Sequence, residues 1–168
     1  WAKLHNLKQA ARTLNFLTEH EIESYPDLES RVAEITAAST EAAAALKAAE
    51  RRLAEMAVLI KDVTTCKELH PLLQEYQWAA DKKQFRRKHE GTLILYEAAA
   101  KALKEQGFQK LPDLYALKNE YKQLAEQKDQ MQRQYNDAKR QMQEYGIIKQ
   151  NVDGILRTAP GKEQMQER

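Results

Sequence analysis

From Leu28 to Val63 the sequence holds one heptad seam: Leu28, Val32, Ile35, Ser39, Ala42, Leu46, Ala49, Leu53, Met56, Ile60 and Val63. The steps alternate four and three residues throughout, so all of these side chains fall on one stripe of a single helix. A stripe this narrow is buried by one or two partner helices rather than by a broad core. The same chain supplies a partner: Leu114, Leu117, Tyr121, Leu124, Lys128, Met131, Tyr135, Ala138, Met142, Tyr145, Lys149, Val152 and Leu156. Only Lys128 and Lys149 are out of character there. The two stretches predict an all-α fold built on a long antiparallel, coiled-coil-like helical hairpin, about 50 Å long at 1.5 Å per residue. Ser39, Ala42 and Ala49 are small seam residues, and Ala42 to Ala45 is continuous alanine. They bury little area. They do let the bulky Tyr and Met residues of the second seam approach, and alanine's helix propensity supports the backbone there.

The remaining segments are placed around this hairpin. A helix at about 1–20 carries Leu4, Leu7, Ala11 and Leu14 on one face, widened by Phe16 and Leu17, and is expected to pack at the hairpin base. Ser24, with Pro26 and then Asp27 three residues on, is a variant capping box that opens a helix at about 26–63. Pro71 removes a helical hydrogen bond and disfavours helical geometry at His70. A break between Thr64 and His70 follows, then a short helix at about 71–80. A third segment, about 85–106, places Leu93, Tyr96, Ala100 and Leu103 on one face. Ile94, Leu95 and Ala99 broaden that face, which predicts burial against more than one neighbour. Gly107 is its C-cap. These two segments form a short helical elbow at the distal end. The last helix covers about 113–157, with a local bend at Gly146, and 158–168 is a polar tail. The whole of 1–157 reads as a single elongated helical module.

Composition limits the classes of function. The net charge is +2, too small to imply nucleic acid by itself. The one cysteine, Cys66, forms no internal disulfide, which points to a reducing, cytoplasmic setting. No apolar run approaches a membrane span. The chain opens on Trp1 rather than Met, the start expected of a piece of a longer protein whose activity lies upstream.

Catalytic and metal-binding patterns are missing from the sequence. His5, His20, His70 and His89 are isolated, with no partner at the spacing of a helical metal pair. No serine sits in a nucleophile elbow, Cys66 lacks an activating base, and the five glycines are scattered. No catalytic residue, metal site or cofactor is expected. One charge cluster is distinctive. Lys82, Lys83, Arg86, Arg87 and Lys88 are five basic residues within seven positions. From Asp81 to Lys110 eight basic residues face four acidic ones, a net +4, whereas Glu19 to Val63 has a net −5. Basic residues at a helix N-terminus oppose the helix dipole, so the cluster reads either as a solvated helix start or as a surface for an anionic partner, of which DNA backbone is one. Phe85, in its midst, reads as a core residue, with base stacking as the alternative.

The runs His70-Pro71-Leu72-Leu73-Gln74-Glu75-Tyr76, Lys82 to Glu90 and Leu93 to Ala99, together with Trp1 to Lys8 and Asn151 to Leu156, add a resemblance. In order and spacing they resemble the C-terminal region of relaxase/mobilization nucleases from conjugative and mobilizable elements of Gram-positive bacteria. The similarity covers about Trp1 to Leu156. That family nicks DNA with an upstream domain that uses a tyrosine nucleophile and a histidine-bound metal. No His-x-His occurs here, so no catalytic residue carries over. The resemblance implies a non-catalytic accessory domain, downstream of a nuclease domain, that contacts DNA, the relaxosome or secretion-machinery proteins during plasmid transfer. The alternative is a structural coiled-coil spacer or dimerisation arm with no nucleic-acid role.

Overall fold

The structure, a computed structural model, describes residues 2–158, with side chains for 6–157. Trp1, the polar tail beyond Thr158 and the side chains of Leu4 and His5, all named above, lie outside the described residues. Five helices follow one another: α1 (Ala2–Glu19), α2 (Tyr25–Trp78), α3 (Lys82–Lys88), α4 (Glu90–Glu105) and α5 (Leu114–Thr158). Among the described residues there is no strand. The all-α class is as the periodicity predicts. Every position of the first seam is buried or half-buried, and so is every position of the second through Val152; Leu156 is exposed.

The expected single module is instead two compact units. One holds the residues up to Leu46 together with those from Met131 on, and the other is Lys47–Gln130. The alanine-rich centre of the first seam buries little area. The cores form where a third helix joins the pair, α1 in the first unit and α4 in the second.

In the first unit, Phe16, Leu28, Tyr145 and Ile148 form the core, and Leu17, Ile22, Val32, Ile35 and Val152 pack around it. The pairing of α2 with α5 is antiparallel. The Tyr25 hydroxyl donates to Asp153, and the Lys149 ammonium lies 3.5 Å from Glu29. The α2 start is the predicted cap: the Asp27 N–H donates to the Ser24 hydroxyl oxygen, and that hydroxyl donates to the Asp27 carboxylate at 2.7 Å.

The predicted face of α1 is right at Phe16 and Leu17, which join the core, and wrong at Leu7, Ala11 and Leu14, which are exposed. Leu7 and Leu14 are 67% and 65% exposed, while Thr13 and Phe16 are 2% and 8% exposed. The helix is held by Phe16 and Leu17 and, beside them, by polar groups. The Asn151 amide of α5 donates to the Thr13 hydroxyl at 3.1 Å, the Gln9 amide donates to the Asn151 carbonyl oxygen, and Thr13 donates to the Gln9 carbonyl. Hydropathy counts these groups as surface, whereas paired hydrogen bonds make their burial tolerable.

In the second unit, Val63 and Cys66 of α2 pack against Ala99 and Leu103 of α4, with Leu59, Tyr96, Ala100, Leu114 and Leu117 around them. Arg52 reaches Glu120 at 3.5 Å while Leu114 and Leu117 pack at the Val63 and Cys66 cluster, so α2 and α5 are antiparallel here as well. The expected break at Thr64–His70 does not occur: α2 continues through Pro71 to Trp78. An interior proline costs about 3 kcal/mol. Burial on both sides offsets it, at Val63 and Cys66 before it and at Leu72, Leu73 and Tyr76 after it. A fully buried Val or Leu side chain alone is worth roughly 1.5–3 kcal/mol. The separate helix expected at 71–80 is thus the end of α2. Ile94 and Leu95 are exposed, so α4 buries only one face, through Leu93, Ala99 and Leu103. The helix expected at 85–106 is split in two at His89, whose backbone (φ −118°, ψ 22°) departs from helical values. Gly91, a weak helix former, follows two residues on. Gly146 lies within α5, which runs on through it.

Candidate functional site

The five predicted basic residues all lie on α3, and all five are exposed. The helix starts at Asp81, whose carboxylate accepts the Gln84 N–H at 2.9 Å. That cap satisfies one of the N–H groups a helix start leaves open. The helix ends at His89, whose N–H donates to the Phe85 carbonyl at 3.0 Å. The His89 carbonyl in turn accepts from Leu93, so one residue closes α3 and opens α4.

Phe85 anchors this short helix. Its ring lies 4.5 Å from that of His89 and 6.0 Å from that of Tyr76, between centroids, and it is half-buried. It packs against both rings, which accords with a core role. At 3.6 residues per turn, Lys83 and Arg87 lie nearly opposite Phe85, on the outward side, with Lys82 and Arg86 beside them. Lys88 flanks that arc.

Arg86 differs from the other four. Its guanidinium lies 3.1 Å from a Glu97 carboxylate oxygen of α4. The Tyr76 side chain and Glu97 hold it further in its charged form, above the ordinary value of an arginine. It ties α3 to α4, and its charge is already matched. The pair is half-exposed, so it fixes orientation more than it adds stability. Lys82, Lys83, Arg87 and Lys88 make no ion pair or side-chain hydrogen bond among the described residues. The cluster is thus four free cations and one engaged one.

The dipole penalty expected from the sequence falls only on Lys82 and Lys83, the first two residues of α3. Because α3 is only seven residues long, Arg86, Arg87 and Lys88 occupy its last turn, where the dipole favours cations. The motive for an anionic partner rests chiefly on unmatched charge.

Elsewhere two of the histidines make side-chain contacts. His20 packs against Phe16 and Tyr145, with ring centroids 4.1 and 5.5 Å away, and His70 lies 3.3 Å from the Gln74 amide. Burial pushes the Cys66 thiol up, with Asp62 adding to it, which keeps it protonated. Among the described residues, no group of three His, Cys, Asp or Glu side chains comes together as metal ligands. No helix among them is long and apolar enough to cross a membrane. One feature escaped the sequence: a cavity in the second unit between α2, α4 and the turn after α4. Its signal was Gly107, read as a cap but not as the residue that aims Phe108. Comparisons with protein families, with curated proteins and with solved structures returned no match to the chain.

Proposed function

We propose that this chain is a non-catalytic helical accessory module of a DNA relaxase, a cytoplasmic protein of conjugative transfer, and that it holds a small cationic patch against DNA backbone. The observation that carries the DNA contact is the set of four unmatched cations on α3: Lys82, Lys83, Arg87 and Lys88. The relaxase context rests on the ordered sequence runs quoted above. Ammonium and guanidinium groups on two turns of helix suit phosphate oxygens spaced along a strand. Two to four phosphate contacts correspond to weak, non-specific affinity, with Kd around 10⁻⁴–10⁻⁶ M at physiological salt. The proposed contacts are to phosphate, which carries no sequence information, so sequence preference is slight. Arg86 acts by orienting α3 rather than by binding. Relaxosome or secretion-machinery proteins are the partners that the other exposed faces would serve.

The experiment is a fluorescence-anisotropy titration of labelled single- and double-stranded DNA at low salt. Wild type is compared with Lys83→Glu/Arg87→Glu, whose side chains are exposed and leave the helix caps intact. Binding by wild type and at least tenfold weaker binding by the variant is the expected result. Equal binding, or none by wild type, overturns the proposal. The buried seams of α2 and α5 then favour the spacer or dimerisation arm, since they need no ligand to account for them.

A further inference from the structure

The second unit contains a cavity of about 520 Å³. Its floor is Cys66 of α2 and Leu103 of α4, each 5% exposed. Tyr96 and Ala100 of α4, both half-buried, form a wall. The fourth side comes from the turn that follows α4. Gly107 sits at φ +89°, its N–H donates to the Lys104 carbonyl at 3.0 Å, and the Phe108 N–H donates to the Leu103 carbonyl at 3.1 Å. That pair of bonds is the Schellman closure, which brings the residue after the glycine back onto the last turn of the helix. It explains why Phe108 lines a cavity floored by Leu103.

The rim has a definite charge. Lys67 of α2 and Lys110 of the α4–α5 connection line it, along with His70, and no carboxylate does. Neither lysine makes an ion pair among the described residues. Phe108 and Leu111, at the same mouth, remain 37% and 46% exposed. Ligand sites are typically concave, mostly apolar, about 300–1,000 Å³ in volume and fitted with a few placed polar groups.

We propose that this cavity is a binding site for a small amphiphilic anion, with its apolar body against Tyr96, Leu103 and Phe108 and its anionic head at Lys67 and Lys110. The chemistry is that of a medium-chain carboxylate. Burying the tail removes apolar surface from water, and the two ammonium groups select the sign of the head. The site is independent of α3 and of any DNA contact.

The test uses the whole chain and two probes with the same ten-carbon tail, decanoate and decyltrimethylammonium, below their micelle concentrations. Binding is followed by isothermal titration calorimetry. Decanoate is expected to bind saturably with one-to-one stoichiometry, and at least tenfold more tightly than the cation. Lys67→Glu/Lys110→Glu should erase that preference while leaving the far-UV circular dichroism unchanged. Ala100→Trp fills the cavity and should abolish binding of both probes. If Ala100→Trp does not fold, Phe108→Ala decides the point, with at least tenfold weaker decanoate binding expected. Absence of saturable decanoate binding, equal affinity for the two heads, or indifference to the cavity variant that folds would each overturn the proposal.

Discussion

Lys149 is out of place in an apolar seam until its partners are counted. Its ammonium donates to the Tyr25 hydroxyl at 2.9 Å and to the Asp153 carboxylate at 3.3 Å, and Glu29 lies 3.5 Å away. A charge at a half-buried position is tolerable when each donor finds an acceptor. The Tyr25 hydroxyl holds the Asp153 carboxyl below its ordinary value, against the effect of burial and with help from Lys149. A carboxyl depressed in the folded state adds stability above its unfolded pKa, and that stability is lost as pH falls through the folded value. Asp153→Asn should therefore lower Tm at neutral pH, and the gap to wild type should shrink from about pH 4 downwards. Thermal melts between pH 7 and pH 2 give the answer; a gap that stays constant would show that the carboxylate's charge is irrelevant. Gly107 is the other residue whose identity is dictated locally. At φ +89° with no neighbouring atom within 4 Å of an added Cβ, only backbone strain opposes a side chain. Gly107→Ala should cost about 1 kcal/mol in urea unfolding, and an unchanged midpoint would contradict the turn described.

At the level of elements, spacing found the paired faces of α2 and α5, because each seam meets one partner and carries one apolar stripe. It failed where partners are polar or helices are short. In α1 the leucines at positions 7 and 14 made a plausible stripe, but the helix docks through Thr13, Phe16 and the Asn151 amide. Nothing in hydropathy distinguishes a buried, satisfied threonine from a solvated one. Phe16→Ala is expected to destabilise by about 3–5 kcal/mol, and Leu14→Ala to stay within about 0.5 kcal/mol. Chemical denaturation of both variants checks this, and the reverse order would restore the face expected from sequence. Pro71 was read as a break because its local penalty is visible in the sequence, while the burial that outweighs it depends on contacts with α4. Since Pro71 is exposed, Pro71→Ala should raise stability, by up to about 3 kcal/mol. A fall on denaturant titration would mean that the proline ring itself packs. The basic cluster was legible as composition. That Arg86 is spoken for by Glu97, and that α3 stops at Lys88, depend on tertiary geometry that spacing does not encode.

For the molecule as a whole, the net charge of +2 is too low to draw nucleic acid by long-range attraction, and Glu19 to Val63 carries a net −5. Any DNA affinity must then come from a local patch, and the proposal assigns it to α3. A local patch leaves a specific mark, because each phosphate neutralised releases counterions in proportion. The decisive measurement is the dependence of log Kd on log salt concentration for double-stranded DNA, in wild type and in Lys83→Glu/Arg87→Glu. The account predicts a slope of about 2–4 for wild type, reduced by about 2 in the variant. A wild-type slope near zero, or the same slope in both proteins, would contradict it.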